Sequence, residues 1–321
     1  MKVNTTEHYH RHEIQTLGWE LTVCNSLINN QSPCRRILNS DKSYGFLLFT
    51  FLDQYFALNK INRVLEVGGG YGYLMKDFLD INPMLSVTMV DISPHLLNHQ
   101  KELLSGYNID FLLEDFLETD LSNFPQFDLA VLNENVGDFP TVVDIRPEQL
   151  LQPSPVSDSH PFSEVARFFN RYKLDIPHTA LFNFNIGAAK AIEKLCLSQI
   201  PSIFISEHSC EATAPDFFHS ILRFSPADTP ERISLKGHDE YTIQFSHLDK
   251  IARAFDYEVK RGPLADYIPF ELTDHIRCSL AAPAPRTDND EIIRDFIGDL
   301  YKYEYLLLIK QNAHTQAIKK T

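Results

Sequence analysis

The chain has 321 residues, 44% of them hydrophobic, enough for one large α/β domain with additions or for two small domains. A formal net charge of −14 works against phosphate backbones, so nucleic acid is not an expected partner, and Cys34-Arg35-Arg36 and Lys319-Lys320 are the largest basic stretches. No apolar run approaches the roughly 18–20 residues that span a bilayer and the first residues carry no export signal, so a soluble cytoplasmic protein without a membrane partner is expected.

Residues 1–60 read as a helical N-terminal extension, with apolar residues at three- and four-residue steps over 14–28 and 46–58. A short buried strand follows at 63–67, then a glycine cluster, then a helix opening at Tyr73. Residues 86–91 form a second strand. Ser93 caps the next helix, with Pro94 in its first turn and Gly106 beyond its end. Strands are expected at 109–113 and 127–132. Residues 141–180 break the rhythm with Pro147, Pro153, Pro155, Pro161 and Pro177, and read as an insertion or cap. The alternation resumes with a helix at 186–197, a strand at 202–206, a helix capped by Ser246, and strands at 257–261 and 303–310 around a helix at 291–300. Strands alternating with helices imply parallel βαβ units, with ligands outside the carboxyl ends of the strands. The expected fold is therefore α/β, Rossmann-like and seven-stranded, occupying 61–321 with the insertion at 141–180.

The loop Glu66-Val-Gly-Gly-Gly-Tyr-Gly72 carries the most chemistry. A strand-to-helix turn aims backbone N–H groups at a ligand, and its glycines admit a bulky nucleoside. A dinucleotide site requires a third glycine at the position held by Tyr73. The E-x-G-x-G-x-G pattern of class I methyltransferases is met at every position by Glu66, Gly68, Gly70 and Gly72. The expected cofactor is S-adenosyl-L-methionine. Asp91 is placed to accept from both ribose hydroxyls and Asp115 to meet the adenine amino group, with Ile92 and Phe116 flanking the ring. Asn133 is placed toward the methionine end. The bland alternatives are an NAD site and an α/β fold with no more than a tight turn.

Four segments resemble the MidA family, which includes mitochondrial complex I assembly factors that methylate arginine. Val90-Asp-Ile-Ser-Pro-His-Leu-Leu-Asn-His-Gln100 is similar to its V-E-x-S-P-x-L-x-x-x-Q stretch, and Asn133-Glu-Asn-Val-Gly-Asp-Phe-Pro140 to its N-E-x-x-D-A-x-P motif. Residues 184–192 and 237–248 resemble later segments. The motif acid is displaced from Gly137 to Asp138, and Ser206-Glu-His-Ser209 stands where the family has D-Y-G. The resemblance implies a protein-arginine N-methyltransferase. The altered loops suggest a small-molecule methyltransferase instead, and Gly137 a non-catalytic cofactor-binding assembly protein.

A guanidinium acceptor needs carboxylates to hold it. Glu134, beside the fourth strand's carboxyl end, is the first catalytic candidate and Asp138 the second; the alternative for Glu134 is a carboxylate that orders its loop by accepting backbone N–H groups. Glu207, His208 and Glu211 are expected on the substrate rim. With Cys210 they match no common zinc spacing, and His8, His10 and His12 read as a polar tail, so no metal is expected. The five scattered cysteines contain no CxxC pair and exclude a disulfide framework.

Overall fold

The computed structural model describes residues 2–14, 22–151, 161–219, 226–282, 284–285 and 287–311. The chain opens with β1 (Lys2–Asn4), α1 (Glu7–His12), α2 (Val23–Ser26), α3 (Pro33–Ile37) and α4 (Tyr44–Leu52). An alternating stretch follows: β2 (Arg63–Val67), α5 (Tyr73–Ile81), β3 (Ser86–Asp91), α6 (Pro94–Leu103), β4 (Ile109–Leu113) and β5 (Leu129–Asn133). Next come β6 (Thr141–Ile145), α7 (Pro147–Leu151), α8 (Pro161–Tyr172), β7 (Phe182–Phe184), α9 (Ile186–Leu197) and β8 (Ser202–His208). The last third holds α10 (Asp216–His219), β9 (Arg232–Ser234), β10 (Asp239–Tyr241), α11 (Phe245–Arg253), β11 (Tyr257–Pro263), α12 (Asp274–Ala281), α13 (Asp288–Lys302) and β12 (Tyr303–Lys310).

Seven strands form one mixed sheet in the order β11-β12-β8-β5-β2-β3-β4. β12 runs antiparallel to both its neighbours, while β8, β5, β2, β3 and β4 are mutually parallel. The expected Rossmann-like α/β architecture is therefore what the chain forms. Both faces are covered, which is why the strands read as continuous apolar runs rather than alternating ones. Leu129 and Val131 of β5 enter the core with α4, α5 and α13, whereas Ala130 and Leu132 enter the opposite core with α8, α9 and α11. The chain order reverses between β2 and β5, and the carboxyl ends of β2, β3, β4 and β5 converge there on one crevice.

The two additions seen in the sequence meet each other. β1 pairs antiparallel with β6, Lys2 opposite Val143, and β6 pairs with β7, so a separate three-stranded sheet joins the N-terminus to the proline-rich stretch. Residues 2–4 are thus extended, and the helix expected over 14–28 is reduced to Val23–Ser26 among its described residues; 15–21, Pro153, Pro155 and Lys319-Lys320 lie outside the described residues. Ser246 does not cap α11. The helix begins at Phe245, and Glu211 accepts the Ser246 N–H at 2.9 Å, supplying the acceptor from another element. Ser93 does cap α6, its hydroxyl accepting the Leu96 N–H. Among the described residues, no helix is long and apolar enough to cross a membrane.

Candidate functional site

The crevice at the strand switch is a cavity enclosing about 1190 Å³ of empty space, part of it open to solvent. The glycine loop after β2 forms its floor. Gly68 and Gly70 take φ of 62° and 54°, a region costly for any residue with a Cβ. A Cβ on Gly68 would also strike the Asn135 amide. Gly72, at φ 85°, is the N-cap of α5 and stands outside the cavity wall, so its freedom serves the turn and not the ligand.

Two acids lie beside this loop. Glu66 is 2% exposed, and one of its carboxylate oxygens has no hydrogen-bond partner. Burial, and then the neighbouring Asp91, push its pKa up to about 8. Asp91 ends β3. Its carboxylate accepts the Ser93 N–H and the Gln100 amide, each at 2.8 Å, while burial lifts its pKa to about 6. The same Gln100 amide donates to the Gly70 carbonyl at 2.8 Å, tying the glycine loop to the acid. Gln100 carries no role in the sequence reading, although it ends the Val90–Gln100 stretch that resembles the MidA motif.

Ile92, Asp115 and Phe116 also line the cavity. Asp115 accepts the Leu117 N–H at 2.8 Å, which turns the chain after β4. Lys194 reaches from α9 and donates to the carbonyls of Phe116, Leu117 and Thr119 at 2.6–2.7 Å. A lysine 78 residues from Phe116 in sequence thus fixes this wall, and no local pattern announced it. Asn133 lines the cavity as well; its oxygen accepts from Tyr44 and from the Ser206 hydroxyl, and its amide donates to Glu134 at 3.1 Å.

Glu134 lies in the cavity wall in a left-handed backbone conformation, φ 54°. Its carboxylate accepts the N–H groups of Val23 at 2.6 Å and Cys24 at 3.1 Å, at the start of α2. Burial raises its pKa to about 7 against these hydrogen bonds, which lower it. Both oxygens are therefore occupied in holding the N-terminal segment, the loop-ordering alternative. Asp138 also faces the cavity and meets His10 Nε2 at 2.9 Å. The half-buried His10 imidazole loses basicity to desolvation but gains more from Asp138, so its pKa is raised.

The structure does not bring Glu207, His208 and Glu211 to the cavity. The buried Glu207 accepts the Gly137 N–H at 3.0 Å, and a Cβ on Gly137 would come within 3.2 Å of that carboxylate. His208 stacks on Tyr303, centroids 3.8 Å apart, and Glu211 pairs with Arg261 at 2.9 Å.

Fold and cavity together define a Rossmann-like α/β protein with an acid-lined site at its strand switch. Residues 65–150 match the model of a family described as a methyltransferase domain. Over 70 residues the chain is 33% identical to a malonyl-[acyl-carrier protein] O-methyltransferase of Acetivibrio thermocellus, covering 22% of this chain and 24% of that one. A protein of the same name from Anoxybacillus flavithermus is 36% identical over 70 residues, covering 22% and 26%. The chain thus spans about a quarter of the length of these curated relatives. The solved plantazolicin methyltransferase BpumL, in complex with SAH, is 10% identical over 90% of this chain and 89% of its own, with a TM-score of 0.44, too low to bear on function. The matched family is a general one and lends no support to the narrower MidA resemblance.

Proposed function

We propose that the protein is an S-adenosylmethionine-dependent methyltransferase acting on a small acceptor. The observation that carries this reading is the pair of buried acids, Glu66 and Asp91, lining the cavity beside a glycine loop in a segment matched to methyltransferase domains. The Asp91 carboxylate opposes a pyrophosphate and suits a ligand with a net positive charge, which would also favour ionisation of Glu66. The residues also fit such a group: Glu66 keeps an oxygen without a partner, Asn135 in the wall does too, and Gly68 and Gly70 line the cavity with backbone alone, at φ values that oppose side chains.

When bound, the cofactor supplies an electrophilic methyl group on a positively charged sulfur. Asp91 would take the ribose hydroxyls, held ready by Gln100 and the Ser93 N–H. Asp115, Ile92 and Phe116 would enclose the base, and Asn133 would face the amino-acid end. Glu134 keeps α2 against the cavity, where Thr22, Cys24 and Asn25 join Thr5, Thr6 and His10 in its wall. These segments restrict the space left for the acceptor, and positioning it is the protein's main contribution to rate.

The occupied carboxylate of Glu134 supports a small acceptor. An arginine side chain would need a carboxylate free to hold its guanidinium, and Glu134 has none to spare. Incubation with methyl-labelled cofactor and cell extract tests the reading: label is expected in the small-molecule fraction. Label confined to protein would favour arginine methylation, and cofactor binding without transfer would favour an assembly protein.

A further inference from the structure

Beside the cavity, three segments distant in sequence bring together a set of side chains that the cofactor reading does not use. His10 comes from α1, Asp138 from the loop after β5, and His238 and Glu240 from the β9–β10 hairpin. One ligand atom each from His10, Asp138 and His238 lies within 4.8 Å of the others. His10 Nε2 stands 2.9 Å and His238 Nε2 3.6 Å from the same Asp138 oxygen, and Glu240 is 3.0 Å from His238 Nε2. Nitrogen and oxygen ligands of a tetrahedral ion, with bonds near 2.1 Å, stand roughly 3.4 Å apart. The observed spacings bracket that value.

Hydrogen bonds alone leave the cluster incomplete. His238 Nε2 carries at most one proton for two carboxylates. Its side chain is 8% exposed, and its other ring nitrogen, Nδ1, is buried without a partner. Among the described residues, no lysine or arginine pairs with Asp138, Glu207 or Glu240. The ring itself is held in place, Tyr9 stacking on His238 at 4.1 Å over Gly237, where a Cβ would meet the Tyr9 ring at 2.8 Å.

We propose that His10, Asp138 and His238, with Glu240 beside them, bind one divalent transition-metal ion that clasps the N-terminal segment over the cavity. Two imidazoles with carboxylates suit zinc, cobalt or manganese better than magnesium or calcium, which favour all-oxygen sites. Thr6 already donates to the Asp138 carbonyl at 2.8 Å, and Thr6, His10 and Asp138 all line the cavity, so an ion here would order one wall of it. No redox step is involved.

The test uses the full chain stripped with chelator, without cofactor, so that its outcome is separate from that of the methyltransferase reading. Zinc is followed by calorimetry and cobalt by its visible spectrum. One ion per chain is expected, with the spectrum of a low-coordinate nitrogen–oxygen site. His238→Ala and Asp138→Asn should each weaken binding by about 100-fold or more, and Glu240→Gln by about 10–100-fold, as for an outer partner. His8→Ala with His12→Ala should change nothing. In the wild type, zinc should slow hydrogen exchange in α1 and in β9–β10 together, a readout independent of whether the variants fold. Absence of stoichiometric binding, preference for magnesium over zinc, or binding lost in the His8/His12 variant and kept in His238→Ala would overturn the proposal.

Discussion

Glu134→Ala strips the acceptor from two backbone N–H groups, those of Val23 and Cys24. Each buried donor left unpaired costs about 1–3 kcal/mol, so the two together cost about 2–6 kcal/mol. The carboxyl also carries a burial cost of its own. Its pKa rises from 4.5 to about 7, and at about 1.4 kcal/mol per unit its ionised form is disfavoured by about 3 kcal/mol. Between those two pH values the native chain holds a proton that the unfolded chain has released, so this group's contribution falls as pH rises. The variant should therefore lose about 2–6 kcal/mol near pH 5 and about 3 kcal/mol less near pH 8. Urea unfolding followed by circular dichroism at both pH values measures this, alongside turnover. A variant of wild-type stability at pH 5 that has lost all turnover would refute the reasoning and place Glu134 in the chemistry.

Other consequences follow from the same geometry. Asp91→Asn should weaken S-adenosylhomocysteine binding roughly 10- to 150-fold by calorimetry, since hydrogen bonds to a charged group are worth about 1.5–3 kcal/mol. Gly68→Ala should abolish binding and destabilise the fold by about 1–3 kcal/mol, because φ of 62° and the Asn135 amide both oppose a Cβ. Cofactor affinity should fall as pH drops through about 6, where Asp91 takes up its proton, and binding near neutral pH should release protons from Glu66, detectable as a dependence of binding heat on buffer. Lys194→Met should speed hydrogen exchange over 116–119 by freeing three carbonyls, with stability lowered by about 1–3 kcal/mol in thermal melts.

The strands of the main sheet were legible because each is a short apolar run bounded by glycine, proline or a capping residue, and β2, β3, β4 and β12 have the bounds expected. The glycine loop and Asp91 were legible for a related reason: their roles follow from position on one βαβ unit. What pairing across the fold decides was not. Nothing local in Lys2–Asn4 reports that it will find Thr141–Ile145 as a partner. Glu134 reads first as a catalytic carboxylate, with loop ordering as the alternative, and its partners Val23 and Cys24 stand 111 and 110 residues away in sequence. Glu207 and Glu211 stand at a strand's mouth, yet Gly137 and Arg261 draw them away from the cavity. His10, one of three alternating histidines, differs from His8 and His12 by facing Asp138, a contact 128 residues away in sequence.

Titration of the purified chain with S-adenosylhomocysteine and, in parallel, with NAD tests the central claim most directly. Calorimetry should show one S-adenosylhomocysteine per chain, lost in Asp91→Ala and in Gly68→Ala, with no heat from NAD. Tighter binding of NAD, or S-adenosylhomocysteine binding that both variants retain, would contradict it.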